Sequence, residues 1–426
     1  MGKEPSTNKL KIINDPVYGF IKIPYDIVFD LIEHPLFQRL RRIRQLGLTN
    51  YVYPGANHTR FQHAVGAMYL MGQAIDVIRS RGYEITDDEA RAVSIAILLH
   101  HIGHGPFSHS LENSLVRGTS HETISLMYME QLNKTFEGEL EMAIRIFKNE
   151  YPKKFLHQLV SSQLDMDRLD YLKRDSFFTG VTEGVIGSDR IIKMLNVVND
   201  QLVVDEKGIY SIEKFLIARR LMYWQVYLHR TVVSSEQLLV MMLKRAQILA
   251  SGGEELFATP ALSYFLQDEP GKYEPANREV FLDFFARLDD NDVLASAKVW
   301  CSHSDRVLSL LSKGLVNRDL FSVRLNDDPF DQKIVEQMRQ KVSDHLSISF
   351  EDAGFLVISD SVSNFAYSDM DDRISILSKK GNVRDIAEAS DMLNISVLSK
   401  TVRKYFLCFP RFLKELIDLN TFKILH

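Results

Sequence analysis

The chain has 426 residues, 45% hydrophobic and 25% charged, with a formal net charge of −5. That length exceeds one ordinary domain of about 100–200 residues, and the composition favours a packed core over disorder. The acidic balance argues against a generic nucleic-acid binder, and two distant cysteines, Cys301 and Cys408, make neither a disulfide framework nor a thiolate metal site.

The N-terminal stretch has no apolar signal-peptide core, and no apolar run reaches the roughly 18 residues that span a bilayer. The expectation is a cytoplasmic protein with no membrane and no nucleic-acid partner. Arg39, Arg41, Arg42 and Arg44 cluster, as do Arg219 and Arg220. Each cluster reads either as a local pocket for a polyanion or as a solvated helix face.

In chain order, residues 11–24 alternate around Asp15-Pro16 and Gly19, which predicts a short β-hairpin. Residues 25–47 read as helical with a break at His34-Pro35. A helix is predicted from about Arg60 to Arg81. Thr86 and Glu89 then form a capping-box signal for the next helix, which ends at Gly103 and Gly105-Pro106. Further helices are predicted over about 121–133, 137–148, 152–173 and 211–250. A strand pair is predicted at 202–204 and 209–211, turning at Lys207-Gly208. After a break at Ser251-Gly252-Gly253 the pattern changes. Short β-rich runs stand at 346–350, 355–358, 373–377 and 402–408, with a turn at Lys380-Gly381-Asn382. The fold class read from this pattern is mainly α, with a smaller α+β C-terminal region and the short N-terminal hairpin.

Seven of the thirteen histidines lie between residues 58 and 121: His58, His63, His100, His101, His104, His109 and His121. One histidine on an apolar helix is usually a core or surface residue, but seven together call for a shared role. Neutral imidazole is the commonest protein metal ligand. His63 falls in the first turn of one helix, and His100-His101 end another, positions from which ligands converge between packed helices. Oxygen ligands are expected from the run Asp165, Asp167 and Asp170. Asp167 and Asp170 share a helix face and Asp165 points elsewhere. Read alone, that run is capping and salt-bridging with Arg168, Lys173 and Arg174.

The series His63, His100-His101, Asp167 resembles the H…HD…D pattern of the HD superfamily. The closer resemblance is to the deoxynucleoside triphosphate triphosphohydrolases. It is carried by Asn14-Asp15-Pro16 through Gly19, by Phe37-Gln38-Arg39-Leu40-Arg41 through Gln45-Leu46-Gly47, and by Pro54-Gly55-Ala56 through His63. His104-Gly105-Pro106-Phe107-Ser108-His109 and the run from Leu164 to Asp175 complete it. It covers roughly residues 11–240 and implies an HD phosphohydrolase domain over 1–250, with the HD core at about 50–180. Residues 251–426 would then be a helical, later α+β, interface-forming region.

The resemblance implies roles for single residues. His63, His100, His101 and Asp167 would hold a divalent ion (Mn, Fe, Zn, Co, Ni or Mg), with Mg also accompanying nucleotide phosphates. His104, His109 and His121 would line the phosphate side, His109 or His121 protonating the leaving oxygen. Gln45, Arg60, Arg168, Tyr171, Asp175, Arg219 and Tyr227 would bind the substrate. The implied reaction is hydrolysis of a deoxynucleoside triphosphate to deoxynucleoside and inorganic triphosphate. A homo-oligomer, dimer or tetramer, is implied too. An activating nucleotide between subunits would use Asn14, Asp15, Glu33, Gln38 and Arg41, which otherwise read as a surface packed on a neighbour.

The family's dyad is His-Asp, and this chain reads His100-His101. A third imidazole keeps an acceptable ligand set but removes a carboxylate able to bridge two ions, which favours one ion. It also admits a nucleotide-sensing or protein-binding module with a crippled site; a separate enzyme reading is an HD phosphodiesterase or phosphatase acting on another nucleotide.

Overall fold

The computed structural model describes residues 11–107, 116, 119–267, 277–364, 373–391, 402–418 and 423–424. The predicted hairpin is present: β1 (Ile12–Asp15) pairs antiparallel with β2 (Gly19–Lys22). The Asp15 carboxylate accepts the N–H groups of Val17 and Tyr18 at 2.9 and 3.0 Å, which shapes the turn. Helices α1 (Asp26–Glu33) and α2 (Pro35–Gln38) are split at His34-Pro35. The helix predicted to run to residue 47 ends earlier, after a 3-10 turn at Arg39–Arg42. Arg44 instead bridges Thr59, and the Gln45 N–H donates to the His58 carbonyl, so Gln45 opens the turn that follows the bridge.

Helices α3 (Arg60–Ser80) and α4 (Asp87–Leu99) are buried around most of their circumference. They form the centre of the body, as expected of helices apolar on nearly every face. The capping box forms: the Glu89 N–H donates to Thr86 Oγ1 at 3.1 Å and the Thr86 N–H to Glu89 Oε2 at 2.9 Å. Around this pair lie α5 (His121–Thr135), α6 (Glu141–Phe147), α7 (Lys154–Val160) and α8 (Met166–Thr179). One helix was predicted over 152–173. The structure has two, because Asp165 caps the second by accepting the Arg168 N–H at 2.7 Å.

After α9 (Ser188–Lys193) comes a correction. β4 (Gln201–Asp205) pairs with β3 (Leu195–Val198) and not with 209–211. Ile209 instead opens α10 (Ile209–Met222), because the turn at Glu206–Gly208 is a 3-10 turn leading into a helix. The long helix predicted over 211–250 is interrupted by a π turn at Tyr223–Tyr227 before α11 (Arg230–Ser251).

The remainder holds α12 (Pro260–Leu266), α13 (Arg278–Arg287), α14 (Asp290–Trp300), α15 (Arg306–Val316), β5 (Ser322–Asn326) and α16 (Gln332–Leu346). The strand predicted at 346–350 is absent. Ser347 turns back at φ +50°, and Phe350 starts the short α17 (Phe350–Ala353). Next come β6 (Ile358–Asn364), β7 (Ser375–Leu377), β8 (Val383–Asp385), α18 (Ile386–Ala389) and β9 (Val402–Phe409). β9 is central in the antiparallel sheet β5-β9-β6. A second sheet runs β3-β4-β7-β8, with β4 and β7 parallel, so it spans the boundary expected at residue 250. One continuous hydrophobic core runs from Ile21 to Leu413. Among the described residues no helix is long and apolar enough to cross a membrane.

Candidate active site

Three elements meet at one point. His63 lies on the first turn of α3, His101 just beyond α4, and Asp167 on the first turn of α8. His63 Nε2, His101 Nε2 and Asp167 Oδ1 lie 2.5 to 2.9 Å from one another. The other nitrogen of His63, Nδ1, is 2.7 Å from Asp170 Oδ2. That carboxylate fixes the ring so that Nε2 faces the cluster, the usual support for a metal-binding imidazole. Two imidazole nitrogens and a carboxylate oxygen aimed at one point fit a divalent transition ion.

The charges agree with a site built for a cation. Burial works against protonating His63, but its hydrogen bonds to Asp167 and Asp170 outweigh this and lift the imidazole to about 9. Burial likewise works to raise Asp167, yet the imidazoles of His101 and His63 hold it well below the usual carboxylate range. Burial pushes His101 well below the ordinary imidazole value, against the pull of Asp167. The cluster thus sets an ionised Asp167 beside a neutral His101 ring, a donor set that suits a cation.

The backbone around His101 is held from behind. Arg39, fully buried, donates to the carbonyls of Ile102 at 2.9 Å, His104 at 2.7 Å and Leu288 at 3.0 Å. Ser125 Oγ donates to the His100 carbonyl and accepts from Gly103 N–H. A Cβ at Gly103 would lie 2.3 Å from the His121 carbonyl, so glycine there lets the start of α5 approach. His104 and His121 consequently stack, with ring centroids 4.0 Å apart, and His104 Nε2 lies 3.0 Å from His101 Nδ1.

All this borders a cleft of about 440 Å³, whose lining includes Arg60, His100, His101, His104, His121, Asp167 and Arg168 together with Gln45, Tyr171, Tyr223 and Tyr227. A larger cleft of about 600 Å³ lies between α15, α16 and residues 410–412, and among the described residues the His63–His101–Asp167 group does not line it.

Residues 186–254 match the family described as the HD associated region. The crystal structure of a phosphohydrolase from Bacteroides thetaiotaomicron is 56% identical, with TM-score 0.90, over 94% of this chain and 100% of that one. This chain belongs to the HD-superfamily phosphohydrolases. It is also 30% identical to the uncharacterized protein YwfO of Bacillus subtilis, over 94% of this chain and 92% of that protein. The SAMHD1 homolog of Dictyostelium discoideum, a deoxynucleoside triphosphate triphosphohydrolase, is 32% identical over 54% of this chain. The chain covers 48% of that relative's length.

In this phosphohydrolase the residues expected at the site divide into groups. His63, His101 and Asp167 converge, whereas His100 stacks on His101 at 4.7 Å and lines the cleft without joining the cluster. Gln45, Arg60, His104, His121, Arg168, Tyr171, Asp175 and Tyr227 all line the same cleft. Asp175 is engaged by His58 Nε2 at 2.8 Å and by the Tyr227 hydroxyl at 2.7 Å. Arg219 stands back from the cleft wall, with Nη1 3.3 Å from Gln163 Oε1. His109 lies outside the described residues.

The activating-site expectation meets a mixed arrangement. Asn14 and Glu33 are exposed. Gln38 donates to the Ile32 carbonyl and accepts from Arg41, whose guanidinium lies over Phe61. Asp15 is buried and ion-paired with Arg174.

Glu236 was missed by the sequence reading. It lies on α11 among polar and apolar neighbours that carry no motif, yet it lines the cleft, and burial pushes its carboxyl up to about 7. Tyr223 was also missed. The π turn brings it into the cleft, and such turns recur at functional sites.

Proposed function

We propose that this phosphohydrolase cleaves deoxynucleoside triphosphates to deoxynucleoside and inorganic triphosphate. The observation that carries the reading is that cationic and aromatic walls share one cleft of about 440 Å³. Arg60 and Arg168 sit beside the metal-binding cluster, and Tyr171, Tyr223 and Tyr227 form an edge-to-face series along the same cleft. That volume and mixture suit a molecule with a polyanionic end and a flat, apolar end.

When bound, the divalent ion supplies Lewis acidity and acidifies water near neutral pH. Arg60 and Arg168 neutralise charge on the phosphate oxygens. Water attacks the α-phosphorus, the bond from phosphorus to the 5′ oxygen breaks, and the triphosphate leaves intact. The stacked His104–His121 pair lines the same cleft and would give the departing oxygen its proton. His109 keeps the role that the resemblance implies. The reading extends to a homo-oligomer with an activating nucleotide near Asn14, Asp15, Glu33, Gln38 and Arg41.

A second reading, tight nucleotide binding with impaired turnover, is favoured by His101. Both its nitrogens are engaged, by Asp167 and by His104. The deciding assay is release of inorganic triphosphate from the four dNTPs with Mn²⁺, the native chain beside His101→Asp. Release by the native chain supports hydrolysis. Release by His101→Asp alone supports the second reading, and release by neither rejects dNTPs as substrates.

A further inference from the structure

The hairpin turn and the metal-binding cluster are joined by a continuous buried column of charge. His63 Nδ1 contacts Asp170 Oδ2 at 2.7 Å. Arg174 Nε and Nη2 donate to the two oxygens of Asp170 at 2.9 and 3.0 Å. Arg174 Nη1 donates to Asp15 Oδ2 at 2.7 Å. The other Asp15 oxygen accepts the N–H groups of Val17 and Tyr18. The side chains of His63, Asp170 and Arg174 are 0% exposed and that of Asp15 is 3% exposed.

We infer that Asp15 is a positioning residue for the metal ligand His63, acting through Arg174 and Asp170, so that the N-terminal hairpin sets metal affinity. Three features carry this. The orientation of Asp15 is tied to the shape of the turn, because Oδ1 is held by two backbone N–H groups while Oδ2 faces Arg174. Arg174 has one guanidinium shared between two carboxylates. With Asp15 removed, its whole charge falls on Asp170 and draws electron density from the oxygen that supports His63. An outer carboxylate of this kind commonly alters metal affinity by about 10- to 100-fold.

The third feature is Gly66, one turn beyond His63 on α3. A Cβ there would lie 2.1 Å from Asp170 Oδ1 and 2.2 Å from Arg174 Nη2. The surface of α3 is thus left bare where the ion pair crosses it. Burying such a column is costly, and an apolar contact would anchor a hairpin with less desolvation. Ile21 of β2, fully buried, already makes one. The column therefore does more than fasten the hairpin.

The inference rests on the metal-centre reading of the cluster and is tested with the metal alone. The full chain, stripped of metal, is titrated with Mn²⁺ against a chelating dye, as native, Asp15→Asn, Asp170→Asn and Val28→Ala. Val28 is buried in α1, and its truncation lowers stability without touching the column. Asp15→Asn is expected to weaken Mn²⁺ binding by about tenfold and Asp170→Asn by at least as much, with Val28→Ala unchanged. Asp15→Asn binding within twofold of native, beside a weakened Asp170→Asn, overturns the inference and makes Asp15 a fold clamp. Equal weakening by Val28→Ala overturns it as well. If the native chain takes up no Mn²⁺, the metal reading falls and this inference with it. Should Asp15→Asn not fold, Asp15→Glu, which keeps the charge but displaces the carboxylate, is read by the same criteria.

Discussion

His101 Nδ1 lies 3.0 Å from His104 Nε2, while Nε2 of the same ring lies 2.5 Å from Asp167 Oδ1. One imidazole thus ties the His63–His101–Asp167 cluster to the stacked pair His104 and His121. A carboxylate at position 101 would be shorter and would let go of His104, and it would add a negative charge able to bridge two ions. The native chain is therefore expected to hold one divalent ion. His101→Asp should bind the first about tenfold more tightly and accept a second at millimolar Mn²⁺, a change of about 1.4 kcal/mol for the first ion. Metal analysis after dialysis checks both points. Two ions in the native chain would refute the one-ion reading.

Asp167 gives the cluster its only oxygen among the three converging ligands. Asp167→Ala removes that ligand and its charge and leaves His63 and His101 facing a gap. Metal affinity is expected to fall by about 100-fold or more, near 3 kcal/mol. The folded state should persist, because Asp165 and not Asp167 caps α8. Metal content equal to native in the purified variant would remove Asp167 from the ligand set.

Much of this site was legible in the sequence because its residues sit on short, ordered signals. Asp165, Asp167 and Asp170 fall within one helical turn and a half, so their division of labour follows from helix geometry: cap, ligand and support of His63. What was not legible depends on distant packing. Arg39 looked like one of four clustered arginines, yet it is the buried clamp on the His104 carbonyl, while Arg42 pairs with Asp289. Glu236 carries no motif and lines the cleft from α11, the helix that follows the π turn. The error at 209–211 has a similar cause. Ile209 and Ile212 suit a strand as well as a helix, and the 3-10 turn at Glu206–Gly208 decides for the helix.

Arg60 is buried beside the cluster, with Nη1 3.5 Å from His101 Nδ1, too far for a strong bond, and it lines the cleft. Its guanidinium lines the cleft beside the cluster, where the proposed phosphate end would lie. Arg60→Ala is expected to raise the Kd for dNTPs by about 10- to 100-fold, the loss of a charge-assisted hydrogen bond of about 1.5–3 kcal/mol. Mn²⁺ affinity should change by less than about threefold. Isothermal titration with nucleotide and with Mn²⁺ separates the two, and equal losses would show a structural role for Arg60.

Glu236 is half-buried on the cleft wall, and burial lifts its carboxyl from 4.5 to about 7. The unfolded chain releases this proton near 4.5. Between pH 4.5 and 7 the folded state therefore binds more protons than the unfolded state, and stability falls as pH rises through that window. The full penalty stands above pH 7 and is absent below the unfolded value. Glu236→Gln keeps the shape and removes the charge. It should raise stability at pH 8 by about 1–2 kcal/mol, a figure reduced because water reaches part of the group, and leave stability at pH 4 unchanged. Thermal denaturation of both proteins across that range provides the check. A constant difference in Tm at every pH would mean that the substitution acts through packing and not through the buried charge.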